Sequence, residues 1–191
     1  MNTIDTQTWI ILAGVAVLIL IALAAWFIYR RRKQSHRLKE RFGPEYGRSV
    51  DDLGSRSKAE SELKAREKRV GHLTIIPLTP SEAARFSETW KDLQGRFVDN
   101  PQTAVVQADQ LVRELMLKRG FPVGDFEHRA ADISVDHPEV VENYRAAQTI
   151  AVRNDRGEAN TEELRKAVVH YRVLFDELLE VKGTGQKSNA A

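Results

Sequence analysis

The side chains with the most chemical potential in this sequence are its histidines and the charged residues around them. The chain has no cysteine, which removes disulfides, thiolate nucleophiles and Cys-ligated zinc or iron–sulfur sites. Metal or acid–base chemistry therefore falls to His36, His72, His128, His137 and His170 and to neighbouring carboxylates. His128 and Asp132 are four residues apart, so one helix face would present both to a single ion. Asp136 and His137 follow shortly after. A structural zinc site needs four such ligands, and the His-Glu-x-x-His arrangement does not occur. Asp136 is better read as a helix cap. His170 sits beside Tyr171, which belongs to an apolar stripe, so His170 and Arg172 are placed as flanking polar residues. Neither a Gly-x-Ser-x-Gly elbow nor a Gly-rich phosphate loop is present. The expectation is that no catalytic, cofactor-binding or metal-binding residue can be assigned. What remains is a polar cluster of His128, Arg129, Asp132, Asp136, His137, Arg145 and His170. Within it Arg129, Asp132 and Arg145, together with Arg172, have the charges for an ion-pair network between helices. Phe86, Trp90 and Phe97 share one helical stripe and read as core in preference to a ligand pocket.

The elements that would carry these residues are helices. Thr79-Pro80-Ser81-Glu82 has a capping residue, proline at the first helical position and Glu at the third. Behind it run Phe86, Trp90, Leu93 and Phe97 at spacings of one helix face. Asp99-Asn100-Pro101 opens a second helix, with a stripe of Ala104, Ala108, Leu111, Val112, Leu115 and Met116. Gly120 ends it. Asp125 caps a short helix reaching about Ile133. Asp136, with Glu139 completing a capping box, opens a fourth, and Val140, Tyr144, Ala147 and Ala151 share its face. Asn160 and Glu163 cap a fifth, which carries Leu164, Ala167, Val168, Tyr171, Leu174, Phe175 and Leu178. Residues 73–181 thus read as a bundle of about five helices, entered through the short apolar segment His72–Leu78. Residues 182–191 read as a disordered tail.

The N-terminal part has another character. Residues 9–29 form 21 consecutive positions without a charge. At about 1.5 Å per residue that helix matches the hydrocarbon thickness of a bilayer. Trp9 at one end and Trp26 with Tyr29 at the other suit the headgroup level. A cleaved signal peptide is the rival reading, since Ala22-Leu23-Ala24 fits a cleavage site. Against it, no Lys or Arg precedes the run, the run continues through Phe27 and Ile28, and Arg30, Arg31, Arg32 and Lys33 follow as a stop-transfer flank. Gly14 has no partner at GxxxG spacing. Lys and Arg near a span stay in the cytoplasm. The expected topology is therefore a short extracytoplasmic N-terminus (1–8), a transmembrane helix (9–29) and a cytoplasmic domain.

Charge is distributed to match. The chain has 29 basic and 27 acidic residues. Seven of the bases lie in 30–41, with Glu40, and only Asp5 precedes them; the 22 bases and 25 acids that remain give the rest of the chain a net charge of −3. A nucleic-acid binder carries its positive charge on the folded domain, so nucleic acid is not an expected partner. The basic segment 30–41 instead continues the membrane helix and faces anionic headgroups. Phe42-Gly43-Pro44 breaks it. Residues 42–72 read as a polar helical spacer, with at most a weak coiled-coil pattern in 49–70 and Glu60–Lys64 and Glu62–Arg66 pairs at helical spacing.

Taken together, RFGPEYGRSV (41–50), LTIIPLTPSE (73–82), RAADISVDHPEVVENYRAA (129–147) and VVHYRVLFDELL (168–179) resemble a family of uncharacterised bacterial single-span membrane proteins. The resemblance implies a bacterial inner-membrane location and a shared helical domain, and no activity. The expected protein is all-α: an anchor, a charged helical stalk and a bundle that binds another protein at the cytoplasmic face, without a cofactor. Two alternatives stand beside it. One is an enzyme with a site built from scattered residues; the other is a sensor of anionic lipid through residues 30–41.

Overall fold

The computed structural model describes residues 6–122 and 124–179. The expected disordered tail and the first residues of the N-terminus lie outside that range. The described residues form eight helices and no strand, as the capping signals and apolar stripes require. The chain divides into two compact units, the first ending at Arg41 and the second beginning at Phe42.

The first unit consists of α1 (Thr6–Phe42) up to Arg41. It contains the one described helix long and apolar enough to cross a membrane. Its apolar side chains are exposed around the helix, from Val15 and Leu18 to Trp26 and Tyr29, so it lacks the polar face that a surface helix of a globular protein shows. The basic segment does continue this helix. At its start the guanidinium of Arg30 lies 4.5 Å from the Trp26 ring centre and that of Arg31 lies 4.8 Å from Phe27. Each is a cation–π pair one turn apart.

The predicted break falls where expected. α1 ends at Phe42, Gly43 takes a positive φ of 48°, and Pro44 opens α2 (Pro44–Leu53). Gly54, also at positive φ, separates α2 from α3 (Arg56–Val70). The stretch 42–72 is helical, as read from its composition, but it is not an extended spacer. It turns back at Gly54 into a hairpin packed on the rest of the second unit, α3 against α6 and α2 against α7. The hairpin is tied internally by polar groups: the Tyr46 hydroxyl donates to Glu60 at 2.8 Å, and Arg56 donates to both Tyr46 and Glu60 at 3.0 Å. Glu62 and Arg66 pair as expected, whereas Glu60 is engaged by Arg56.

Five further helices follow: α4 (Pro80–Arg96), α5 (Pro101–Lys118), α6 (Phe126–Asp136), α7 (Pro138–Asp155) and α8 (Thr161–Leu179). α8 is central, packed against α5 and α7; α4 packs on α5 and reaches α8 through Trp90, and α6 packs on α7. All seven predicted apolar positions of α8 are buried. Trp90 stacks on Phe175 at 4.6 Å, and Tyr144 meets Phe126 at 4.9 Å and Tyr171 at 6.3 Å. Such aromatic pairs add about 1 kcal/mol each beyond the area they bury. Phe86, Trp90 and Leu93 are core residues, with Phe97 packed at the edge. Arg119, 5% exposed, donates to the carbonyl of Leu178 at 2.6 Å, placing a cation at the C-terminus of α8.

Most caps are those the sequence announces: Thr79 with Glu82, Asn100, Asp125, and Asn160 with Glu163. Asp136 is a correction. It is the last residue of α6, and the cap position of α7 belongs to His137, which makes no capping bond with its side chain. Pro138 forces the residue before it out of the helical region, and His137 sits at φ −132°, ψ 55°. The break is a single residue wide, so Asp136 remains within the preceding helix.

The lead-in 72–78 is loop. Ile76 donates its N–H to the Arg119 carbonyl, and Leu78 joins the core. This brings the Thr74 backbone against Gly120, which has φ 90° and would direct a Cβ into the Thr74 carbonyl oxygen. Gly120 also closes α5 through a Schellman pattern, Phe121 N–H to Met116 O and Gly120 N–H to Leu117 O. Gly157 has φ 71° with open space around it. Gly157→Ala is expected to cost about 1 kcal/mol, the left-handed penalty alone. Gly120→Ala is expected to cost clearly more, about 2 kcal/mol or above, because steric overlap adds to that penalty. Urea denaturation of the two variants side by side measures the difference.

Candidate functional site

The charged residues singled out from the sequence do not converge. Their partners come largely from the helical hairpin, and the result is a charged seam between α2–α3 and α6–α7. Its centre is Glu45, at the second position of α2 and 2% exposed. The Arg145 guanidinium on α7 donates to both Glu45 oxygens, at 2.8 and 3.3 Å, and Arg145 Nη1 donates to Glu127 on α6 at 2.7 Å. Arg66 of α3 places its Nη1 3.6 Å from the second Glu45 oxygen. One carboxylate thus ties three helices, and Arg145 extends the tie to a fourth. Burial pushes the Arg145 guanidinium toward a lower pKa; Glu45 and Glu127 outweigh it, and the net shift is upward.

A second link runs parallel to the first. Asp132 on α6, 2% exposed, accepts from Arg69 of α3 at 2.8 Å. Arg129 is buried beside it and donates to the Tyr144 hydroxyl at 2.9 Å and to the Gly124 carbonyl. Tyr144 and Tyr171 have raised pKa values, in both cases mainly because they are buried. Tyr171 donates to Asp109 at 3.1 Å.

The histidines are dispersed. His128 is exposed and contacts Asp125 at 2.9 Å, His137 contacts Glu177 at 2.7 Å, and His170 contacts Asn143 at 2.8 Å. Arg172 pairs with Asp176 at 2.6 Å and lies over the Trp90 ring. The expected network of Arg129, Asp132, Arg145 and Arg172 is therefore four separate attachments. Among the described residues no three His, Asp or Glu side chains come together as metal ligands.

Glu45, Arg66 and Arg69 were not legible as site residues, because their partners lie far along the chain. Glu45 and Arg145 are 100 residues apart, and Arg69 and Asp132 are 63 apart. No local periodicity reports such a pairing. The available signal was the amphipathic character of α2, where Glu45 stands beside Tyr46 on the face that becomes buried. Compared with known proteins, the chain matches no protein family, no curated protein and no solved structure.

Removing one partner of a buried ion pair leaves an uncompensated charge, at a cost of about 3–5 kcal/mol. Glu45→Ala is expected to destabilise the second unit by about that amount. Combining it with Arg145→Met is expected to cost less than the two single changes added together, because the second change removes the stranded charge. Chemical denaturation of the four species forms the double-mutant cycle that checks this.

Surface carboxylates with depressed values contribute to the acid response. Glu82 is lowered to about 2 by Lys118, then by the Thr79 backbone and side chain. Asp125 is lowered by the His128 backbone and ring, and Glu163 by the Asn160 backbone and then Arg153. Groups with depressed folded-state values contribute stability that is complete above their unfolded-state values and lost as pH falls toward the folded ones. For Glu82 the window runs from 4.5 down to about 2. The thermal midpoint of the domain is expected to fall as pH drops through that window, and to fall less steeply in Glu82→Gln.

Proposed function

We propose that this protein is a membrane-tethered interaction module. α1 spans a bacterial inner membrane with the short N-terminus outside, and the helical unit from Phe42 onward binds another protein at the cytoplasmic face. The observation that carries this reading is a long apolar helix, with its basic flank entirely on the C-terminal side, followed in the chain by a compact helical unit that begins at Phe42. The flank sets orientation, since Lys and Arg stay on the cytoplasmic side, and favours anionic headgroups by about 1 kcal/mol per charge near the surface. Within the helical unit three of the candidate polar residues hold neighbouring segments together: Arg145 and Asp132 bind the hairpin, and Arg129 binds Tyr144 and Gly124. A rigid helical body held at a membrane is suited to presenting a surface.

The absence of native cysteine makes a direct topology test clean. With single cysteines introduced as Thr3→Cys or Asp155→Cys, a membrane-impermeant maleimide applied to intact cells is expected to label position 3 and to reach position 155 only after lysis. Labelling of position 155 in intact cells would reverse the orientation. For the binding role, photo-crosslinkers placed around the domain of the full chain in cells are expected to yield a reproducible adduct with one protein. No adduct from any face would remove the interaction reading.

A further inference from the structure

A groove of about 570 Å³ opens between α2, α6 and α7. Its lining includes Arg48 from α2, Arg145 and Arg153 from α7 and Arg156 at the C-terminal cap of α7, with Phe126 and Val152 as apolar surface. Arg145 and Arg153, two turns apart, lie toward one face of α7, and Arg156 follows one turn on at its end. This is a concentration of four guanidinium groups on a unit whose net charge is negative.

The four are not equivalent. Arg145 is fixed by Glu45 and Glu127, and Arg153 by Glu163 and the Glu158 carbonyl. These two give the groove a rigid wall. Among the described residues Arg48 pairs only with Asp52, at 3.7 Å with side chains 49% and 64% exposed, a pair worth a fraction of a kcal/mol in water. Arg156 is exposed and has no ion pair among the described residues. Arg48 and Arg156 are thus available cations flanking an apolar floor.

We propose that this groove docks an acidic amphipathic helix of a partner protein. Its carboxylates pair with Arg48 and Arg156, and its apolar ridge lies on Phe126 and Val152. The inference rests on the interaction reading above and names the chemistry of the partner. Phe126 and Val152 give apolar surface between the cations that suits the ridge of an amphipathic helix, and the lining carboxylate of Glu127 is paired with Arg145.

The test uses the full chain in detergent micelles. The probe is a fluorescent amphipathic helical peptide of Glu, Leu and Ala, with its Gln-for-Glu counterpart as control. The acidic peptide is expected to bind with an affinity that falls as salt rises, and R48E/R156E is expected to weaken it about tenfold. R165E, which reverses a charge on α8 outside the groove, is expected to leave binding unchanged. Absent binding, equal binding of the Gln peptide, or indifference to R48E/R156E would overturn the proposal. So would a reversal-sensitive association with anionic vesicles without peptide binding, or with a second copy of the chain. In cells, photo-crosslinkers at Thr149 in the groove and at Val173 on α8 separate this proposal from the broader one. Adducts from Thr149 to an acidic segment support the groove. Adducts from Val173 alone overturn the groove and leave the interaction module standing, and adducts from neither position overturn the groove as well.

Discussion

The placement of the α2–α3 hairpin in the second unit depends on one buried carboxylate. Glu45 enters the interior at the start of α2, where an isolated charge would cost several kcal/mol. It is tolerated there because Arg145 meets it with two hydrogen bonds and Arg66 adds a second positive charge. These groups belong to α2, α7 and α3, and Arg145 in turn holds Glu127 of α6. The placement of the hairpin follows from satisfying this one group. The parallel Arg69–Asp132 pair then fixes the other end of α3.

Two modes of cohesion therefore meet in one unit. Helices α4 to α8 share a continuous apolar core around Trp90, Tyr144, Tyr171 and Phe175, held by burial and dispersion. The hairpin buries fewer apolar side chains, among them Tyr46, Ala59, Leu63 and Val70, and adds directional charged contacts. Apolar packing tolerates small slips, whereas a forked guanidinium–carboxylate contact does not. The seam thus gives a polar segment a defined position, and it fixes Arg145 on the wall of the α2–α6–α7 groove.

The division also explains what could be read from the sequence. The bundle was legible because its information is local. The stripes of α5 and α8 repeat with the helical period, and Thr79, Asn100, Asp125 and Asn160 mark helix starts with the bonds their residue types favour. The placement of the hairpin was not legible. Its composition resembles a solvated helix, and its decisive partners are distant in sequence. Asp136 was misplaced as a cap for a local reason: both Asp136 and His137 can precede a proline-led helix, and the single-residue break at His137 decided between them. Helix-surface spacing could not show that the members of the polar cluster face different neighbours.

The central claim is that residues from Phe42 onward form one folded unit in which the charged seam holds α2–α3 against α6–α7. Hydrogen exchange of the intact wild-type chain, read amide by amide, tests it most directly. The account predicts that the hydrogen-bonded amides of α2 and α3 are protected far beyond what an isolated helix of their length provides. Exchange of both helices at the rates of a free peptide, while α8 remains protected, would contradict it.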